Sequence, residues 1–367
     1  MAQIQFIDLV TPLAELKPEI DAAFARIMGT GRIMLGPEVE AFEREWAAWT
    51  GAAHGVGVAN GLDALVLGLE ACGVGPGDEV IVPSNTYIAT WLAVSQLGAV
   101  PVPVEPLEAT ANLDPARIAA AVTARTRAVM PVHLYGHAAD MGPILAVARA
   151  HGLKVVEDAA QAHGAAYHGR RIGGHGDVVA WSFYPTKNLG AVGDAGAITT
   201  DDPAIADRIR VARNYGARVR YVCEMQGRNS RLDELQAAIL RIKLRRLDGW
   251  NARRAVLARR YADGLAGLPL TVPVEPADCT SVWHLYAIRT PRRESLRQHL
   301  EAAGVGVIVH YPIPPHLQQA YAGLGMAKGS LPIAERIHDQ VLSLPLHPYL
   351  SDADQERVIA AVRGWRP

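Results

Sequence analysis

Three consecutive runs carry the reading of the fold: TRAVMPVHLYG (126–136), MGPILAVARAHG (141–152) and LKVVEDAAQ (153–161). The first and last are short apolar runs rich in β-branched residues, and each has the length of a buried strand. The middle run spaces its apolar residues as one face of a helix and stops at Gly152. A strand, a helix and a strand within 36 residues form a right-handed crossover unit, which predicts two parallel strands covered by the helix between them.

The same rhythm extends outward. HGVGVAN (54–60) and EVIVP (79–83) are further strand candidates, and GLDALVLGLEACG (61–73) is a helix that ends at Gly73. TYIATWLAVSQLG (86–98) predicts another helix, and AVPVPVE (99–105) an extended segment whose prolines suit a sheet edge better than its centre. The fold class is therefore α/β, with a mostly parallel sheet between helices. From SRLDELQAAIL (230–240) onward the pattern changes to one long or broken helix, followed by WHLYAIRT (283–290), the helix RESLRQHLEAAG (293–304) and the strand candidate VGVIVHYP (305–312). The expected organisation is a large unit over 1–249, including an N-terminal segment that packs on both parts, and a smaller α/β unit over 250–367.

A chain of 367 residues, half of them hydrophobic, holds enough apolar surface for more than one core. Its net charge of -1 gives no global field for nucleic acid or a membrane surface. Cys72, Cys223 and Cys279 are far apart and lack metal or redox spacing, so they are expected to be reduced and buried. Asp8 interrupts the opening apolar run, no secretory leader is read, and no window reaches a membrane-spanning length. The expectation is a soluble, cytoplasmic protein. Arginines gather between Arg208 and Arg260, mostly as solvated helix faces and caps.

Ligands of open α/β sheets sit beyond the carboxyl ends of the strands, and three motifs fall there. ANGLDAL (59–65) turns through Gly61 into a helix whose first amides suit a phosphate. It matches neither nucleotide fingerprint, G-x-G-x-x-G or the P-loop. VVEDAAQAHG (155–164) runs a buried strand into Glu157 and Asp158, with Gln161 and His163 behind; a charge there is costly unless paired. WSFYPTKNLG (181–190) sets Ser182 and Lys187 in an apolar, turn-rich loop. A lysine activated by desolvation, a carboxylate and a phosphate cup together fit pyridoxal phosphate, which needs an amine to bond and an acid for its ring nitrogen.

These residues also carry a likeness. Over almost its whole length the chain resembles the sugar aminotransferases of the DegT/DnrJ/EryC1/StrS family, which have the aspartate aminotransferase fold type. The most specific stretches are VEDAAQAHGA (156–165), SFYPTKNLGAVGDAGAI (182–198) and GRNSRLDELQAAIL (227–240). The resemblance implies that Lys187 bonds the cofactor and shuttles the proton. It further implies that Asp158 pairs with the ring nitrogen, Gln161 approaches the ring oxygen and Tyr87 stacks on the ring. Ser182 and the Gly61–Leu62 backbone would hold the phosphate, and Asn229 would reach the phosphate of a partner subunit in a homodimer with shared active sites. Two positions depart from the family pattern: Leu62 stands where a hydroxyl residue is common, and Glu105 where aspartate is common.

The substrate side implied by the same resemblance includes Tyr184, His310 and Tyr311, with His316 open between a pocket and a core role. Arg218 and Arg220 suit a diphosphate, and Arg220 is the one chosen. His133 and His137 lie four apart without a carboxylate to complete a zinc set, so no metal is expected. The implied reaction moves an amine from L-glutamate to a nucleotide-linked keto-sugar. NGLDAL, SFYPTKNLGA and HYPIPPHLQ most resemble the branch that aminates C3 of a dTDP-linked 3-keto-6-deoxyhexose. The alternatives are amination at C4 and a cofactor-binding regulator without turnover.

Overall fold

A computed structural model describes residues 3–366. Its centre is a seven-stranded sheet built from β1 (His54–Val58), β2 (Glu79–Pro83), β3 (Val100–Val104), β4 (Thr126–Val129), β5 (Lys154–Asp158), β6 (Val178–Ser182) and β7 (Gly196–Thr200). The spatial order is β1-β7-β6-β5-β4-β2-β3. Only β7 runs against its neighbours; β3, β2, β4, β5 and β6 are parallel. The proline-bearing β3 is an edge strand, where a missing amide breaks no ladder.

Several boundaries differ from the sequence expectation. The first run is a strand only over Thr126–Val129; beyond Pro131 the backbone turns, and Tyr135 sits in the left-handed region at φ 60°. The helix expected from Thr86 begins at Ala89, which leaves Ser84–Tyr87 as a loop at the carboxyl end of β2. VGVIVHYP forms no strand. Gly306 bonds to Ile4 and Ile308 to Ser343, so its backbone is shared between two neighbours and no continuous ladder builds. The cysteines are free but not buried: Cys72 and Cys279 are half-buried, and Cys223 is exposed on the small hairpin Ala217–Val219/Val222–Cys223.

The helix Glu234–Gly264 is continuous through 31 residues. Its first half packs Ala237, Leu240, Leu244 and Leu247 against Trp46, Trp181 and Phe183 under the sheet. Its second half places Leu257, Ala258 and Tyr261 in another cluster with Tyr286, Leu296, Leu344 and Val358. The helix Val10–Thr30 lies on the first half through Leu16, Ala23 and Ile27, whereas Ile4 joins the second cluster. Most of the arginines in the rich segment pair with acids: Arg241 with Glu38 and Glu45, Arg245 and Arg246 with Glu19, Arg253 and Arg260 with Asp352. Among the described residues no helix is long and apolar enough to cross a membrane.

Candidate active site

Asp158 ends β5 as the second residue past the buried valines, after Glu157, and is 6% exposed. Its Oδ2 accepts from the Thr90 hydroxyl at 2.9 Å and its Oδ1 from the Ala160 amide at 3.2 Å. Burial pushes its carboxyl above the usual range, opposed by those two donors and by the charge of Lys187. Lys187 lies in the loop after β6, its amide bonded to the Tyr184 carbonyl at 2.8 Å. The loop closes only because residue 190 is glycine; a Cβ there would run into the Pro185 carbonyl. The Lys187 side chain is crowded by protein yet keeps some exposure to a cavity of about 240 Å³ shared with Asn188, Lys243, Arg254 and His347. Desolvation lowers its ammonium to about 8, with Asp158 pulling the other way.

Gln161 is fixed at both ends: its Oε1 accepts from the Tyr135 amide at 2.6 Å, and its Nε2 donates to the Tyr311 hydroxyl at 3.0 Å. Tyr311 in turn faces Tyr87, with ring centroids 5.1 Å apart and planes tilted by 37°. The Tyr87 ring is 53% exposed, so its outer face is open. His310 bonds Ser343 through Nδ1 at 3.0 Å, and burial drops its imidazolium to about 4, so it is neutral at pH 7.

Gly61 starts the helix Gly61–Ala71 directly beside Ser182; a Cβ on it would come within 2.5 Å of the Ser182 Cβ. Asn60 caps this helix by accepting from the Asp63 amide at 2.9 Å. The amides of Gly61 and Leu62 then lack an acceptor among the described residues, and the Ser182 side chain stands next to them. Such a cradle suits a phosphate.

Other expected residues lie apart. Asn229 is exposed, held by a backbone bridge to Asn214, while its neighbour Ser230 accepts from the Ala59 amide at 3.2 Å. Arg220 sits on the hairpin turn with its guanidinium 4.8 Å from the Tyr221 ring, and among the described residues it has no acidic partner. Arg218 is engaged by Asp207 and Glu224 and is not available to a diphosphate in this arrangement. Tyr184 is 52% exposed. His316 is buried against Glu335 at 3.1 Å, a core role. His133 meets a carboxylate as a hydrogen-bond partner: its Nδ1 accepts from the Ala139 amide, so its Nε2–H donates to Glu157 at 2.9 Å. Both ring nitrogens are thereby occupied. Among the described residues no group of three metal-ligating side chains forms.

Sequence reasoning missed Thr90, Tyr135 and the pair Asn188–His284. Thr86 and Thr90 stand four apart in an otherwise apolar run and their hydroxyls meet at 2.8 Å, and that spacing is the signal that could have marked Thr90. Asn188 donates to the Val282 carbonyl and to Asn251, and its Oδ1 meets His284 Nδ1 at 3.1 Å, which fixes the residue after Lys187.

The chain belongs to the DegT/DnrJ/EryC1/StrS aminotransferase family, whose profile matches residues 14–363. It is 56% identical over 364 residues to the dTDP-3-amino-3,4,6-trideoxy-α-D-glucose transaminase of Streptomyces venezuelae, covering 99% of this chain and 96% of that one. The dTDP-3-amino-3,6-dideoxy-α-D-galactopyranose transaminase of Aneurinibacillus thermoaerophilus is 49% identical over 362 residues, 99% of either chain. Among solved structures, S. venezuelae DesV in complex with a ketimine intermediate superposes with a TM-score of 0.98 at 56% identity, covering 100% of this chain and 99% of that one. The protein is thus a pyridoxal-phosphate-dependent aminotransferase. The free amides at Gly61 and Leu62, the open ring of Tyr87 and the buried Asp158 fit that cofactor.

The depressed Lys187 ammonium gives a pH prediction. Only the neutral amine bonds a carbonyl, and its fraction rises with pH through the folded value. The rate of pyridoxal phosphate uptake by the cofactor-free protein is expected to rise and level off above about pH 8. Stopped-flow absorbance measures it; an inflection near the ordinary lysine value of about 10.4 would show that the loop does not activate the amine.

Proposed function

We propose that the protein transfers the amino group of L-glutamate to C3 of a dTDP-linked 3-keto-6-deoxyhexose. Support for the sugar is the full-length likeness to two relatives named for dTDP-3-amino sugars. Support for the chemistry is the meeting of a desolvated lysine and a buried carboxylate in one site. Bound pyridoxal phosphate supplies an electron sink for the carbanion formed at the substrate carbon. Asp158 supplies the negative charge that keeps the proton on the ring nitrogen. Lys187 would hold the cofactor and, as a neutral amine, would move the proton to and from the substrate carbon. Tyr87 would cover the cofactor ring, Gln161 would approach its ring oxygen, and Ser182 with the Gly61 and Leu62 amides would take its phosphate. Glutamate leaves as 2-oxoglutarate and the sugar carbonyl becomes an amine, so no outside oxidant or reductant is needed.

Tyr184, neutral His310 and Tyr311 are assigned to the sugar side, and Arg220 to the diphosphate. A homodimer completes the site in this reading. Leu9, Val10, Leu13, Phe24 and Val192 line an apolar groove between the N-terminal helix and Leu235 and Ile239, which suits a second copy. Asn229, exposed and without a side-chain partner among the described residues, would serve the partner's phosphate cup. The division between 249 and 250 is kept as a functional one, since the two halves of the long helix serve different cores.

The test is a side-by-side assay with glutamate and two acceptors, a dTDP-3-keto- and a dTDP-4-keto-6-deoxyhexose, products being identified by mass and NMR. Amination of the 3-keto sugar at C3 is expected, with the 4-keto sugar left unreacted. Preferred turnover of the 4-keto compound would overturn the C3 assignment and leave the aminotransferase intact.

A further inference from the structure

Glu105 follows edge strand β3 and is buried at 7% exposure. Its carboxylate makes three hydrogen bonds to two distant segments. Oε1 accepts from the Ile333 amide at 2.7 Å, and Oε2 accepts from the Ala334 amide at 3.0 Å and from the Ser84 hydroxyl at 2.9 Å. Ile333 and Ala334 are in the first turn of the helix Pro332–Gln340, whose own N-cap residue, Leu331, offers no side-chain acceptor. A carboxylate from 228 residues away therefore does the capping.

Both segments lead to the same pair of rings. Ser84 opens the loop whose fourth residue is Tyr87. In the other direction, His338 near the end of the capped helix donates from Nδ1 to the Tyr311 carbonyl at 2.8 Å. Tyr87 and Tyr311 are the rings that meet at 5.1 Å. One buried carboxylate thus ties the loop that carries Tyr87 to the helix whose His338 holds the Tyr311 carbonyl.

We propose that Glu105 is a positioning residue that sets Tyr87 and Tyr311 against each other, and so the ring-facing wall of the cofactor site, through Ser84 on one side and the capped helix on the other. The inference rests on the assignment of Tyr87 to the cofactor ring. The glutamate side chain is long enough to span the Ser84 hydroxyl and the helix amides together.

Ser84→Ala separates this role from plain helix capping, because it cuts the arm toward Tyr87 and leaves the cap. The readouts are the pyridoxal phosphate dissociation constant of the cofactor-free protein, the circular dichroism of the cofactor band, and thermal stability. Ser84→Ala is expected to weaken cofactor binding about five-fold, in line with one lost buried hydrogen bond, and to diminish the dichroic band, with a Tm change of only ~2 °C. Glu105→Ala should weaken binding further and lower the Tm as well. Glu105→Gln should recover part of both, since its oxygen can still accept from the Ile333 amide while its nitrogen donates to Ser84 and only the Ala334 bond is lost. In a Tyr87→Ala background the Ser84→Ala change should have no further effect on binding. Wild-type affinity and dichroism in Ser84→Ala would overturn the proposal, whatever Glu105→Ala does to the fold. Unchanged binding in Tyr87→Ala alone would instead remove the ring assignment, and the proposal with it.

Discussion

Lys187→Ala is expected to cut turnover by ~10³ or more, since it removes the amine proposed both to hold the cofactor and to move the proton. The fold should survive. The loop is held by backbone bonds, including Lys187 N–H to the Tyr184 carbonyl, and by the Asn188 side chain. A desolvated ammonium costs stability where it sits, so its removal should leave the Tm unchanged or slightly raised. Near-wild-type turnover of the alanine variant would show that another group does this chemistry; among the described residues, buried Lys243 shares the cavity, but its Nζ is bonded to the Gly190 carbonyl at 2.6 Å.

Asp158→Asn should have the second largest effect, a loss of ~10²–10³ in kcat, the scale found when a preorganised electrostatic partner is removed. The amide is isosteric and can still accept from Thr90, so the end of β5 should keep its shape. Asp158 is buried and its carboxyl is raised by that burial, so neutralising the position is not expected to lower stability by much. The signature of the proposed role is a kinetic loss with little change in Tm, together with a shifted absorbance of the bound cofactor. A variant that keeps its kcat would separate Asp158 from the ring nitrogen.

The strand–helix alternation around β1 to β5 was legible because each element is short, apolar and bounded by glycine or proline, and β3 announced its edge position through its prolines. Lys187 and Asp158 were legible for a related reason: each is an ionisable residue set where burial penalises charge. What could not be read depends on contacts between remote segments. β7 runs antiparallel between β1 and β6, and glycine and threonine hide it as a loop. VGVIVHYP has the composition of a strand, but its backbone is divided between Ile4 and Ser343. Glu105 looks like an unexplained acid until the helix beginning at Pro332 is placed against it, and Thr90 looks like a helix-face hydroxyl until Asp158 is placed beneath it. Arg220 and Asn229 are exposed, and among the described residues Arg220 has no acidic partner and Asn229 no side-chain hydrogen bond to be read from.

Lys187 and Asp158 are proposed to carry amine transfer and not mere cofactor binding. A single-turnover experiment tests it most directly: holoenzyme is mixed with excess L-glutamate and no acceptor sugar, while absorbance and 2-oxoglutarate are followed together. Loss of the cofactor's long-wavelength band with one 2-oxoglutarate released per occupied site is expected, with neither signal in Lys187→Ala. A wild-type protein that holds the cofactor yet shows an unchanged spectrum and no 2-oxoglutarate would contradict it.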